Sequence, residues 1–82
     1  MNKTALLLAV QAALDGDWDK SHKIAQHYSD ATANWIHAVL HKIEGDAWNR
    51  KYWYARTAGK HYEDFGDANA ELKTIQNYLN QT

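Results

Sequence analysis

The sequence predicts an all-α domain spanning residues 1–82, built as two antiparallel helical hairpins plus a C-terminal capping helix, about five helices in all. Three observations lead there. The chain contains no proline, so nothing forbids long helices, and its four glycines are the only strong breaks. Three of those glycines precede an aspartate, at Gly16-Asp17, Gly45-Asp46 and Gly66-Asp67. Each pair joins a residue that tolerates a left-handed helix end to a side chain that caps the next helix. Between the breaks, apolar residues recur at the three- and four-residue spacing of a helix face.

The first helix is expected over Thr4 to Asp15, where Leu6, Val10 and Leu14 recur every four residues. Lys3 before the apolar run and small residues after it also raise a signal peptide, but the run is short and its spacing is what a core-facing helix needs. Gly16-Asp17 turns the chain into a second helix from Trp18 to Tyr28. Ser29-Asp30 offers a cap for a third, Ala31 to Glu44, whose apolar arc is Trp35, Ile36, Val39, Leu40 and Ile43. Gly45-Asp46 repeats the turn 29 positions after Gly16 and opens a fourth helix over Ala47 to Ala58. On it Trp48 and Tyr52 share a face while Trp53 and Tyr54 point elsewhere, so it needs neighbours on more than one side or a partner. Gly59-Lys60 marks a fifth break and a looser stretch through Phe65. The last helix, Asp67 to Asn80, aligns Ala68, Leu72, Ile75 and Leu79 and leaves Glu71, Lys73, Gln76 and Asn77 to water.

Composition bounds the function. Nine basic and ten acidic residues nearly cancel over the chain, which argues against nucleic acid and anionic membranes as partners. With no cysteine there is no disulfide, thiolate nucleophile or cysteine-based zinc site, which fits a cytoplasmic location. No stretch reaches the apolar length needed to span a bilayer. Four tryptophans and five tyrosines are a large aromatic complement for so short a chain, suited to filling a small core or lining a contact.

The chemistry-bearing residues concentrate in the third helix. His37, His41 and Glu44 are spaced i, i+4 and i+7, which puts two imidazoles and a carboxylate on one stripe. That ligand set suits zinc, yet three ligands from one helix rarely close a metal site, and His22 on the second helix is the residue to complete it. The apolar arc lies about 130° from the stripe at about 100° per residue, so the simpler expectation is solvated histidines, with Glu44 belonging to the helix end. The pattern is not His-Glu-x-x-His, because Ala38 occupies the general-base position. Spacing alone therefore assigns no metal and no cofactor. Imidazoles at this spacing also suit metal-free acid-base work, given a cleft. Tyr52, Trp53 and Tyr54 with Arg56 read as core packing, or as a stacking platform with a guanidinium for an anion. Asn49 in the first turn of its helix hydrogen-bonds either backbone or a ligand.

The run from His37 to Asp46, then Asn49 and Tyr52-Trp53-Tyr54, with Trp18 and His22 upstream, resembles a family of short uncharacterised bacterial helical proteins. The likeness covers about positions 14 to 59 and leaves the last helix outside. It implies a bacterial source and a helical hairpin, singles out His22, His37, His41, Glu44, Asn49 and Tyr54, and carries no catalytic assignment. Arg50 stands where that pattern has a small residue, which is expected to loosen the hairpin. In architecture the hairpins are loosely similar to tetratricopeptide and Sel1-like repeats, or to an orthogonal bundle, with shorter spacing and no proline.

Two functional readings follow. The preferred one is a non-enzymatic helical-hairpin module that binds a protein partner or a second copy of itself. The other is a small metal-binding or acid-base hydrolytic site built on His37, His41 and Glu44, completed by His22 or Tyr54.

Overall fold

The computed structural model describes residues 1–82 and contains five α-helices and no strand. They are α1 (Lys3–Leu14), α2 (Trp18–Ala25), α3 (Ala31–Glu44), α4 (Ala47–Tyr54) and α5 (Ala68–Gln81), with one 3-10 turn at Tyr62–Asp64 before α5. No helix is long and apolar enough to cross a membrane.

The expected caps form. Asp17, Asp30, Asp46 and Asp67 each accept a hydrogen bond from a backbone N–H in the first turn of the helix that follows. Each such cap is worth about 1 kcal/mol. Gly16 and Gly45 adopt the left-handed conformation, with φ of 85° and 80°, and close α1 and α3. Gly66 does not, because no α-helix precedes it and the turn there needs no such residue.

Two helices end earlier than the spacing suggested. Beyond Ala25 the chain tightens, with His27 and Tyr28 bonding the carbonyls of Ile24 and Ala25 three residues back. Beyond Tyr54 the Thr57 hydroxyl captures the Tyr54 carbonyl at 2.7 Å, and Ala58 then takes a φ of 55°. A helix cannot continue through a residue in that conformation.

The helices pack as two hairpins, α1 with α2 and α3 with α4, while α5 lies against α1 and α3. The core sits where those last three meet: Leu6, Ala9 and Val10 of α1, Ile36, Val39 and Leu40 of α3, and Leu72, Ile75 and Leu79 of α5 are all fully buried. Each large side chain among them contributes about 1.5–3 kcal/mol through removal from water. The result is nearly isotropic, 28 × 25 × 23 Å. Ile43, placed in the apolar arc by its spacing, is instead 45% exposed, since the buried run of α3 stops at His41.

Glu71 overturns the expectation for α5. It is fully buried rather than solvated. One carboxylate oxygen accepts from Trp35 Nε1 and from the Tyr54 hydroxyl, each at 2.8 Å, and the other from Lys42 Nζ at 2.8 Å. Burial, followed by this hydrogen bond to Glu71, pushes the Tyr54 phenol well above its ordinary range, so it remains a donor. Lys42 also donates to the carbonyls of Tyr62 and Phe65, which ties the α4–α5 connection to α3.

Removing one member of a buried charge pair leaves the other uncompensated and costs about 3–5 kcal/mol. Glu71→Ala should therefore lower unfolding free energy by about that much in urea titration, whereas Lys73→Ala, on the exposed side of the same helix, should stay within about 0.5 kcal/mol.

Candidate metal centre

On the side of α3 away from the core, the stripe predicted from spacing is not solvated. His37 is 4% exposed and His41 6% exposed, because α2 and α4 pack over this face from either side. Trp18 anchors α2 by donating its indole N–H to the Leu40 carbonyl at 2.7 Å. One turn further on, His22 stacks on the Trp18 ring at 4.7 Å and meets His37 edge-on at 4.5 Å. From the opposite side Trp53 of α4 stacks on His37, with centroids 3.9 Å apart. His37 and His41 are themselves stacked at 5.0 Å, as the i, i+4 spacing demands.

Three imidazoles from two helices thus converge between two indole walls. One ligand nitrogen from each of His22, His37 and His41 lies within 4.8 Å of the others. A tetrahedral ion with bonds near 2.0–2.1 Å wants its nitrogens about 3.3 Å apart, so the three rings must draw together to hold one. His41 Nδ1 is 3.0 Å from the Glu44 carboxylate, so its Nε2 is the nitrogen left for a ligand. That is the carboxylate–histidine pairing that orients imidazoles at metal sites.

The electrostatics suit a cation. Burial, then the neighbouring charges of His22 and His41, brings His37 down to about 4, and burial followed by His41 lowers His22. Both rings are therefore neutral at neutral pH, the state that ligates. The charges of Glu44 and Asp19 partly offset the lowering of His22, and Glu44 and Asp46 each offer an oxygen within 4.8 Å of a His41 nitrogen. Hydrogen bonds from the Asn49 backbone and side chain hold the Asp46 carboxyl below its usual range, so it stays ionised. His37 Nδ1 is buried with no hydrogen-bond partner in the chain. Leaving such a nitrogen unsatisfied costs about 1–3 kcal/mol.

No family model, curated protein or solved structure matches this chain.

Of the residues singled out from sequence, His22, His37 and His41 form the centre, Glu44 orients His41, and Asn49 joins only through Asp46, whose side chain it contacts at 2.6 Å. Tyr54 is not available to complete the site, since its hydroxyl is committed to Glu71 on another side of α3. The angle between successive helical residues, about 100°, forbids Trp53 and Tyr54 from facing the same histidines. Arg56 lies apart too, its guanidinium 3.6 Å over the Tyr52 ring and bonded to the Tyr52 carbonyl. Arg50 is accommodated over the Tyr62 ring at 4.0 Å. Trp18 and Trp53 as imidazole walls were not assigned from sequence; for Trp18 the four-residue step to His22 is the signal.

The depressed His37 value links pH to stability. The folded, metal-free chain keeps His37 neutral down to about pH 4, while an unfolded histidine protonates near 6.5, so the unfolded state binds more protons between those values. Stability should be lost as pH falls through that window, by up to about 3 kcal/mol, and a His37→Gln variant should show a flatter dependence in urea midpoints measured from pH 7 to pH 4.

Proposed function

We propose that this chain is a metal-binding protein that holds one divalent first-row ion, such as zinc, through His22, His37 and His41. The observation that carries the reading is the convergence of three mutually close imidazoles, two of them buried and one of those with an unsatisfied nitrogen, with the Glu44 and Asp46 carboxylates beside His41. Three imidazole nitrogens provide the affinity; Glu44, Asp19 and Asp46 balance the incoming charge. Water, or a rotated Glu44, takes the fourth position, because zinc sites with three protein ligands keep one position open.

The geometry favours metal binding over the metal-free acid-base alternative. None of the four concavities on the surface is lined by His22, His37 or His41. General acid-base catalysis on an organic substrate needs a place for that substrate within hydrogen-bond reach of the base. An ion needs only the space between three nitrogens. For the same reason we assign this centre to holding an ion and assign it no reaction on a bulky substrate. The reading as a protein-binding or self-associating module is supported by the exposed apolar side chains, Trp48 of α4 foremost and Leu8 of α1 among them.

Calorimetric titration of EDTA-treated protein with zinc at neutral pH should give a single site of one-to-one stoichiometry. His22→Ala, His37→Ala and His41→Ala should each abolish it, while His27→Ala and His61→Ala, at exposed positions, should not. Glu44→Gln should weaken binding about 10–100-fold, the usual effect of losing a carboxylate behind a ligating histidine. A flat thermogram for the unaltered chain with zinc, nickel and copper overturns the proposal.

A further inference from the structure

The near-zero net charge of the chain hides a local imbalance. From Ala47 to Tyr62 there are four lysines and arginines, Arg50, Lys51, Arg56 and Lys60, and no carboxylate. None of the four is in an ion pair; the three pairs in the structure involve His41, Lys42 and His61. Aromatic rings support three of them instead: Arg50 lies 4.0 Å over Tyr62, Lys60 4.6 Å over Trp35 and Arg56 3.6 Å over Tyr52. Such contacts orient a cation without neutralising it.

Three of these charges meet at concave surface. A cavity of about 370 Å³ is walled by Arg50, Lys51 and Lys60 with His61 and Tyr62, and Glu63 is the one acid at its edge. A second, of about 430 Å³, shares Arg50 and Lys51 and is closed by Trp48. Trp48 is 87% exposed and stacks on no other ring of the chain. An indole this exposed presents a flat π face to any molecule that occupies the neighbouring concavity. Each cavity lies in the range of small-ligand sites, about 300–1,000 Å³.

We infer that this groove along α4 binds a nucleoside phosphate, with the heterocycle stacked on Trp48 and the phosphates held by Arg50, Lys51 and Lys60. A nucleoside phosphate supplies in one small molecule the two things the surface offers partners for, a flat π face and several negative charges. Aromatic rings bind any base in this way, and guanidinium groups bind phosphate oxygens in pairs. The site is independent of the histidine centre, and its fate does not depend on whether that centre takes a metal.

The test is calorimetric titration of the whole, EDTA-treated chain with ADP and ATP, beside tripolyphosphate, adenosine and a short single-stranded oligonucleotide. ATP should bind, and more tightly than ADP. Trp48→Ala should weaken ATP by about fivefold or more, the worth of one stacked base, and leave tripolyphosphate unchanged. Arg50→Ala and Lys51→Ala should weaken ATP and tripolyphosphate alike, whereas Lys3→Ala and Lys73→Ala should change neither. Glu63→Gln should tighten both by removing a repulsion. Because Trp48 packs on nothing, its loss should leave the thermal midpoint in place, which separates failure to bind from failure to fold. Absence of ATP binding overturns the inference. So does tripolyphosphate binding as tightly as ATP, since the ring then contributes nothing. An oligonucleotide bound far more tightly than ATP also overturns it, in favour of a nucleic-acid strand as the occupant.

Discussion

Ten consecutive residues of α3, Thr32 to His41, are buried. A helix enclosed around its whole circumference has no solvent side on which to leave polar groups, so each must find a partner on whichever helix faces it. The rest of the structure follows from that constraint. One side of α3 meets α1 and α5 through aliphatic side chains. A second meets Glu71 through the Trp35 indole N–H and, one residue beyond the buried stretch, the Lys42 ammonium. The third is given to His37 and His41, and there the partner is an indole ring, a third imidazole and an exposed carboxylate. Asn34, also on α3, bonds the carbonyls of Ser29 and Arg56 and so fastens the start of the helix to the end of α4.

The two polar clusters are resolved in opposite ways. Around Glu71 three donors meet two acceptor oxygens and each bond is 2.8 Å, so nothing is left over. A buried charge so satisfied defines how its helices sit, and it offers nothing to an outside molecule. Around His37 a buried ring nitrogen is left without a bond. Chains this small have little stability to spare for an unsatisfied group. The asymmetry between a closed network and an open one, on two sides of the same helix, is the reason the histidines rather than Glu71 are read as a site.

Element boundaries were legible because the chain writes them in local chemistry. An aspartate after a left-handed glycine acts within four residues, and α3 begins and ends where Asp30 and Gly45 indicate. The overruns of α2 and α4 arose where the terminating group was a turn bond or the Thr57 hydroxyl, neither of which breaks an apolar pattern. Burial was less legible. Glu71 looked solvated because it is charged, although it lies only about 40° from Ile75 on the helical wheel, at the edge of the buried stripe. His37 and His41 looked solvated because they face away from the apolar arc of their own helix. What buries them is the arrival of α2 and α4 on that face, a tertiary event that one helix's pattern does not carry. His22 was named from sequence as the residue to complete the stripe, because it lies on the second helix at the edge of its apolar face, and the structure brings it to His37 and His41.

The Glu71 carboxylate belongs to the last helix of the chain, whereas Lys42, Trp35 and Tyr54, the groups it satisfies, all precede it. Lys42 and Glu71 lie 29 positions apart, so their pair closes only when α5 docks on α3, and whatever lifts that helix away hands the ammonium, the indole and the phenol back to water together.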